Sequence, residues 1–598
     1  MNTKLKTVEY SCDLCVVGGG LAGTIAALTA ARKGAKVVLV QDRPVLGGNS
    51  SSEIRMWVRG AQGKYNRETG ILAEFEEENI YRNPTLAPTL WDSVLYGKVK
   101  ENDNITLLLN SSVLDAECDG ETIKSVTAWQ LTTYSYHKIN AKYFADCSGD
   151  SILAPLTGAL YTLGREARSE HNEKIGPEVA DRKTMGMSCL LQARETDHPV
   201  NFIPPEWANV YESDEDFSSK AKDVSHSTVR DHNIGTSGCN LWWMELGGDT
   251  EPLENAEETR DELLKVVFGI WDHIKNRGDH GADNWELEWV GFLPGKRETF
   301  RYVGNYVLTQ NDIEAGGIFP DVVAYGGWTM DDHNPKGIKA TGEGDVPSIM
   351  HPAPSPYGIP YRCLYSKNIS NLFFAGRNIS VTHAALSSTR VMGTCSLLGQ
   401  AVGNAAAICV KNGILPRDIS RGRVNELKQE ILSDGVFLPG VKREIPELTR
   451  KASLSLSDKE TAILQNGIER PRADGDENHI VLEKGNKISF NFEEKNHINE
   501  LRIQLDPDFG HESVSPNRKM RVFALKLNVG RDFVPVNVAK TIVKEISVYA
   551  DGALVYESKA NHNSFVRIPL DVDAKDLTVR FGETWGDDKI NIFACDIR

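Results

Sequence analysis

The chain has 598 residues, 40% of them hydrophobic, enough to fill the cores of about three to five domains. Its 67 basic and 83 acidic residues leave a formal charge of −16, which argues against nucleic-acid or anionic-membrane partners and fits solvated acidic faces. No apolar run reads as a bilayer span and the opening residues lack a signal-peptide core, so the expectation is a cytoplasmic protein, or a periplasmic one if a leader was removed.

In chain order, Cys15-Val-Val-Gly18-Gly19-Gly20-Leu21-Ala22-Gly23 reads as a strand, a glycine-rich turn and the start of a helix, and Val37-Val-Leu-Val40 reads as a second strand. Gly18 permits the tight turn, Gly20 lets the backbone approach a pyrophosphate, and Gly23 lets the helix lie close to the sheet. Ala22, Ala26, Ala27 and Ala30 keep that helix thin, and its free N–H groups and dipole face the phosphates. The stretch therefore predicts a nucleotide cradle rather than an empty doubly wound domain. Gln41, Asp42 and Arg43 follow where a carboxylate normally accepts from ribose hydroxyls, and the Gln41 amide oxygen can still accept. A second glycine pair stands in Leu46-Gly47-Gly48-Asn49-Ser50.

Tyr65 to Tyr81 predicts an acidic helix, with Ile71, Leu72, Phe75 and Ile80 near helical spacing, and Trp91 to Lys100 a second one covering the sheet. Strands are expected at Ile105 to Leu109, Ser112 to Cys118 (including Val113) and Ile123 to Thr132, the last two joined by the hairpin signal Asp119-Gly120. Tyr143-Phe-Ala-Asp146-Cys147-Ser148-Gly149-Asp150 reads as a further strand and turn. From about 155 to 355 the pattern changes to loops, aromatics and one clear helix, Asp261 to Lys275. Asn371-Leu-Phe-Phe-Ala375-Gly376-Arg377-Asn378 reads as a late strand, followed by a helix rich in small residues from Gly393 to Val410. A charged helix, Val424 to Asp434, leads into a connector. Beyond Arg470-Pro471 the texture is all-β: Ile488, Phe490 and Phe492 alternate, Leu501, Ile503 and Leu505 alternate, and Asp551-Gly552 turns a hairpin before the closing strand Lys589 to Arg598. Several short strands over that stretch predict a sandwich of the jelly-roll type.

The cysteines, at 12, 15, 118, 147, 189, 239, 363, 395, 409 and 595, are scattered. Cys12 and Cys15 form a C-x-x-C at a strand entry, whereas redox pairs sit at a helix start, and no thiolate cluster suits iron and sulfur. Asp474, Asp476 and Glu477 read as an exposed acidic loop, and no metal site is expected.

The paired glycines of Gly47-Gly48-Asn49, together with Cys147-Ser148-Gly149-Asp150 and Ala375-Gly376-Arg377-Asn378, resemble the two-dinucleotide-binding-domain flavoproteins. With Gly164-Arg165-Glu166 they resemble, over residues 10 to 420, bacterial FAD-dependent oxidoreductases related to fumarate reductase flavoproteins, some of them labelled xanthan lyases. The C-terminal texture resembles galactose-binding or discoidin-like modules, with a structural or dimer-forming role favoured over sugar binding. The resemblance implies an α/β fold: a Rossmann-like FAD-binding domain in two parts (8–155 and 356–415), an inserted α+β substrate cap (156–355), a helical connector (416–465) and the β-sandwich (466–598). It also implies FAD contacts at Gly18, Gly20, Leu21, Ala22, Gly23, Gln41, Asp42, Arg43, Gly47, Gly48, Asn49, Ser50, Val113, Cys147, Ser148, Gly149, Asp150, Gly376, Arg377 and Asn378. Relatives that tether FAD covalently use a histidine shortly after the cradle; this chain has Asn49 and serines, so a non-covalent cofactor is expected.

Flavin chemistry needs a substrate carbon near N5, a group to move the accompanying proton, and positive charge near N1 and the C2 carbonyl. The late helix and Arg377 are candidates for the charge. His383 is the leading candidate for the proton, with His351 and Tyr357 as further pocket residues and Tyr361 as a possible donor. Arg297, Arg301, Arg362 and Arg390 are candidates to clamp a carboxylate or polyhydroxylated substrate. Two or more of these in the pocket would favour a uronic or dicarboxylic acid, one a neutral sugar. Three readings follow. They are an oxidoreductase on a small polar, carbohydrate-derived substrate, a redox-neutral flavin enzyme acting by elimination or hydrolysis, and a sugar-binding protein on a vestigial scaffold. No second dinucleotide fingerprint is present, so the electron acceptor is a diffusing molecule or a partner protein.

Overall fold

The computed structural model describes residues 5–213, 216, 241–277, 280–342, 345–346, 348–510, 525 and 528–598. The residues up to Ala61, with Ala87–Leu427 and Leu525–Phe533, form one compact unit; Gln62–Leu86 and the described parts of Lys428–Ala524 and Val534–Arg598 form another.

The first unit is built on a sheet in the order β3-β2-β1-β6-β5-β4: β1 is Thr7–Val17, β2 Val37–Val40, β3 Ile105–Leu108, β4 Ser111–Asp119, β5 Thr122–Gln130 and β6 Ser135–Asp146. β1, β2, β3 and β6 run parallel, while β4 and β5 return antiparallel. The division follows the sequence. Leu14–Val17 and Val37–Val40 are continuous apolar runs buried on both faces, whereas β4 alternates and leaves one face wet. The N-terminal half of β6 pairs with β5 and its last residues pair in parallel with Leu372–Phe374, so the late strand returns to the centre of the sheet.

Helix α1, Leu21–Arg32, and the late helix Met392–Asn412 lie against each other on this sheet. Small residues permit the approach; a Cβ on Gly399 would stand 2.1 Å from the Ala22 carbonyl. Met392–Asn412 also corrects the expectation that no segment could span a bilayer. Its mean hydropathy of 1.3 over a helix of 21 residues meets that test, but 94% of the apolar window is buried inside the protein.

The inserted region is made of small sheets. Met187–Ser188 pairs with Glu245–Leu246 and Gly295–Lys296, Leu191–Glu195 pairs with Trp285–Val290, and Met330–His333 pairs with Ser348–His351. The helix Ala256–Asp272 turns Leu263, Val267, Ile270 and Trp271 into a core with Leu191 and Met244. Val529 extends the Leu191–Glu195 strand, donating its N–H to the Ala193 carbonyl and accepting from the Glu195 N–H.

The second unit is a seven-stranded antiparallel sheet dominated by two long partners, Lys487–Leu505 and Phe565–Phe581. The two alternating segments expected near 488–492 and 501–505 are thus one strand of 19 residues. Helix α2, Ile71–Arg82, belongs to this unit rather than to the cradle side. Its Ile80 and the following Leu86 enter the apolar core of the sheet, and Glu77 accepts from both the backbone N–H and the hydroxyl of Ser564. Helix α3, Pro88–Lys100, covers the parallel sheet as expected. The connector expected over 416–465 divides between the units at Leu427 and Lys428. Cys239 lies outside the described residues; the nine described cysteines are free thiols. Burial pushes the Cys12 thiol up to about 12 and that of Cys15 higher, which suits structural rather than redox roles.

Candidate functional site

The cradle follows from local backbone chemistry. Gly18 has φ +100°, and a Cβ there would lie 2.5 Å from the Cys147 carbonyl carbon. Gly20 is different: a Cβ on it meets only the Gly48 Cα, at 3.9 Å, so its open side faces the cleft. No side chain caps α1 and its first turn carries no carboxylate, which leaves the helix N-terminus available to an anion. The Gly47-Gly48 turn is tied to the first one by Gly47 N–H donating to the Gly19 carbonyl at 2.8 Å.

These turns line a cavity of about 380 Å³. Of the predicted cofactor residues, Gly18, Gly20, Leu21, Ala22, Gln41, Asp42, Arg43, Gly47, Gly48, Asn49, Val113, Cys147, Ser148, Gly149, Asp150, Gly376 and Arg377 line it. Three predicted contacts do not. Gly23 packs against Gly18, the Ser50 hydroxyl donates to the Gly47 carbonyl, and the Asn378 amide lies against Asp146. They shape the turns from behind. Gln41 also needs correction: its amide oxygen accepts from the Gly19 N–H at 2.7 Å and its Nε2 donates to the Val45 carbonyl. That amide is a strut between the loops, and Asp42 is the half-exposed carboxylate at the strand end.

Sequence reasoning left out Lys296, Ser111, Ser112, Ile54, Pro294, Met392 and Cys395, all on the cavity wall. Lys296 immediately precedes Arg297, and of that stretch only the arginines at 297 and 301 carried a signal. Asp146, below the cavity, accepts from Ser148 N–H, Leu153 N–H and the Tyr302 hydroxyl and so fixes the Ser148-Gly149-Asp150 turn. Burial would raise the Asp150 carboxyl, but Arg377 and Lys296 beside it override this and hold it at about 2.

The predicted catalytic residues separate. Arg390 lines the cavity and donates to the Asp331 carbonyl at 3.1 Å. The others lie off its wall. Buried His383 has Nδ1 2.9 Å from Glu298 Oε2 and Nε2 3.1 Å from Asp332 Oδ1. Burial disfavours its charge, but the two carboxylates prevail and raise it to about 10. An imidazolium held by two acids is a poor general base, which corrects the leading proton-transfer assignment. His333 repeats the pattern between Glu245 and Asp331. Arg301 is buried against Glu298 and Glu166, Arg297 against Glu245, and Arg362 pairs with Asp321. His351 ends a strand opposite Met330, the Tyr357 hydroxyl shares a hydrogen bond of 2.6 Å with Ser388, and the Tyr361 hydroxyl donates to the Pro416 carbonyl. Apart from Glu298, three residues from Arg301, these partners lie far along the chain, and spacing in sequence carried no sign of them. Among the described residues no group of histidine, cysteine and carboxylate side chains suits a metal ion.

A parallel sheet with a glycine cradle at the carboxyl ends of its strands, and an uncapped helix N-terminus facing a long cleft, defines a dinucleotide-binding protein. Residues 13–431 match the model of the FAD dependent oxidoreductase family, and the chain belongs to that family. A stretch of 62 residues is 47% identical to NADH:acrylate oxidoreductase of Vibrio harveyi, covering 10% of this chain and 6% of that one. Another of 87 residues is 38% identical to glycerol-3-phosphate dehydrogenase 2 of Mycobacterium bovis, covering 14% of each. The chain thus spans at most 14% of the length of these curated relatives. Among solved structures, a geranylgeranyl bacteriochlorophyll reductase-like protein from Thermoplasma acidophilum superposes at a TM-score of 0.30 with 10% identity, over 71% of this chain and 86% of that one. A quinol fumarate reductase from E. coli gives 0.27 with 12% identity, over 72% and 75%.

The cleft fits the family cofactor on its own chemistry. The open side of Gly20, the uncapped α1 and the cations Arg377 and Lys296 suit a diphosphate, and the cavity continues to Arg390 and the start of Met392–Asn412.

Proposed function

We propose that the protein transfers a hydride between non-covalently held FAD and a small polar, carbohydrate-derived substrate. FAD, when bound, supplies the hydride acceptor or donor. On this reading Gly18 to Ala22 and Gly47 to Asn49 cradle the diphosphate, and Asp42 and Arg43 receive the ribose end. Arg390 and the N-terminus of Met392–Asn412 place positive charge at the other end, where it favours an anionic reduced ring.

The observation that carries the substrate class is the fate of the four candidate arginines. All four pair with a carboxylate, but Arg297, Arg301 and Arg362 do so off the cavity wall, whereas Arg390, 3.4 Å from Asp331 Oδ2, lines it. One arginine suits the oxygens of a neutral polyol better than the paired carboxylates of a dicarboxylic acid. Asp331 holds Arg390 in place through both its backbone carbonyl and its carboxylate. We read the electron acceptor as a diffusing molecule or a partner protein, and the C-terminal sheet as a jelly-roll module with a structural or dimer-forming role.

Anaerobic mixing with a panel of neutral sugars, uronic acids and hydroxy acids tests the reading. Bleaching of the flavin band by neutral sugars supports it. Bleaching by uronic or hydroxy acids alone overturns the substrate class, and a band that none of them changes leaves a reductase or the redox-neutral alternative.

A further inference from the structure

One carboxylate on the cleft wall is gripped from two sides. Lys296 donates through Nζ to Asp150 Oδ2 at 2.8 Å, and Arg377 donates through Nη2 to Asp150 Oδ1 at 2.5 Å. The three side chains are 21%, 26% and 15% exposed in the order Lys296, Asp150, Arg377, and all line the cavity. They come from three separate places in the chain. Asp150 follows β6, Arg377 follows the strand Leu372–Phe374, and Lys296 sits on the strand Gly295–Lys296 of the inserted region. Lys296 is tied at its other end too, since its carbonyl accepts from Asn49 Nδ2 at 3.1 Å. The neighbouring Thr299 hydroxyl donates to the Gly149 carbonyl at 3.0 Å, closing the same segment onto the same turn.

Two cations facing one carboxylate leave a surplus positive charge on the wall, which suits a diphosphate. The geometry does more than supply charge: it fastens the inserted region across the cleft to the turns that form the cradle. We propose that Lys296, Asp150 and Arg377 act as a clasp that retains the cofactor. Release of the cofactor then requires the Lys296 to Asp150 bond to open. This rests on the reading that the cleft holds FAD.

The test is the rate at which flavin leaves the purified holoprotein on dilution, followed by the recovery of free flavin fluorescence, with a thermal unfolding curve for each variant. Lys296→Met is expected to speed release by about tenfold, and Lys296→Arg to restore most of the retention. Asp150→Asn separates a clasp from a simple charge. It adds a net positive charge, so attraction alone predicts slower release, whereas a broken clasp predicts release at least as fast as in Lys296→Met. The double variant should release no faster than Asp150→Asn alone, which already removes the Lys296 ion pair along with that of Arg377. Unchanged release in Lys296→Met, or slower release in Asp150→Asn, overturns the proposal. Should Lys296→Met fail to fold, Lys296→Arg and Asp150→Asn carry the test. The underlying reading fails separately: wild-type protein without flavin, or a Gly20→Val variant that keeps it, would refute the cleft as the FAD site whatever Lys296 does.

Discussion

Gly20 has φ −63°, a value open to any residue, and an added Cβ there meets protein only at 3.9 Å. Gly20→Val is therefore expected to fold, with stability within about 0.5 kcal/mol of wild type, and yet to lose flavin because its methyl groups stand where the diphosphate approaches. Comparing flavin content with the unfolding curve checks both halves. His383 makes a different prediction. Its pKa rises from 6.5 to about 10 on folding, so its contribution to stability is fully present below about pH 6.5 and is lost as pH climbs toward 10. His383→Gln, which leaves Glu298 and Asp332 short of a charge partner, should cost about 3 kcal/mol near neutral pH and flatten the alkaline limb of the stability profile. An alkaline limb identical to wild type would refute the buried imidazolium. The glycines were legible in the sequence because each obeys its own backbone geometry. His383 was not, since its state depends on acids 85 and 51 residues away.

Among elements, α1 and Met392–Asn412 were legible as small-residue helices, and the structure packs them together. Apolar content alone could not tell the second from a membrane span; burial decides it. Helix α2 was legible as a helix but not as part of the C-terminal unit, because periodicity shows which face is apolar and not what covers it. Burial pushes the Glu77 carboxyl up to about 7, against Arg67 and the Ser564 hydrogen bonds. A fragment of residues 428–598 lacks α2 and leaves the core without Ile80 and Leu86. It is expected to show no cooperative thermal transition by circular dichroism, and co-expression of 62–86 to restore one. A fragment that melts cooperatively without α2 would contradict this grouping.

For the whole molecule, the parallel sheet and the cradle were readable because strand, turn and helix are contiguous. The remainder of the cleft is assembled from residues near 113, 150, 296, 377 and 390, and no local pattern records that they meet. That is why Lys296 escaped notice while standing next to the candidate Arg297. It is also why all four candidate arginines proved to be ion-pair partners: apart from Arg301 and Glu298, three residues apart, a side chain's spacing carries no information about the carboxylate that reaches it from elsewhere. The most direct test of the account is the absorbance spectrum of the purified protein before and after mild denaturation, with the released pigment identified by chromatography. The account predicts a flavin band that passes entirely into the supernatant as intact FAD from wild type and is missing from Gly20→Val. Flavin that stays with the precipitated chain, or an equal yield from both proteins, would contradict it.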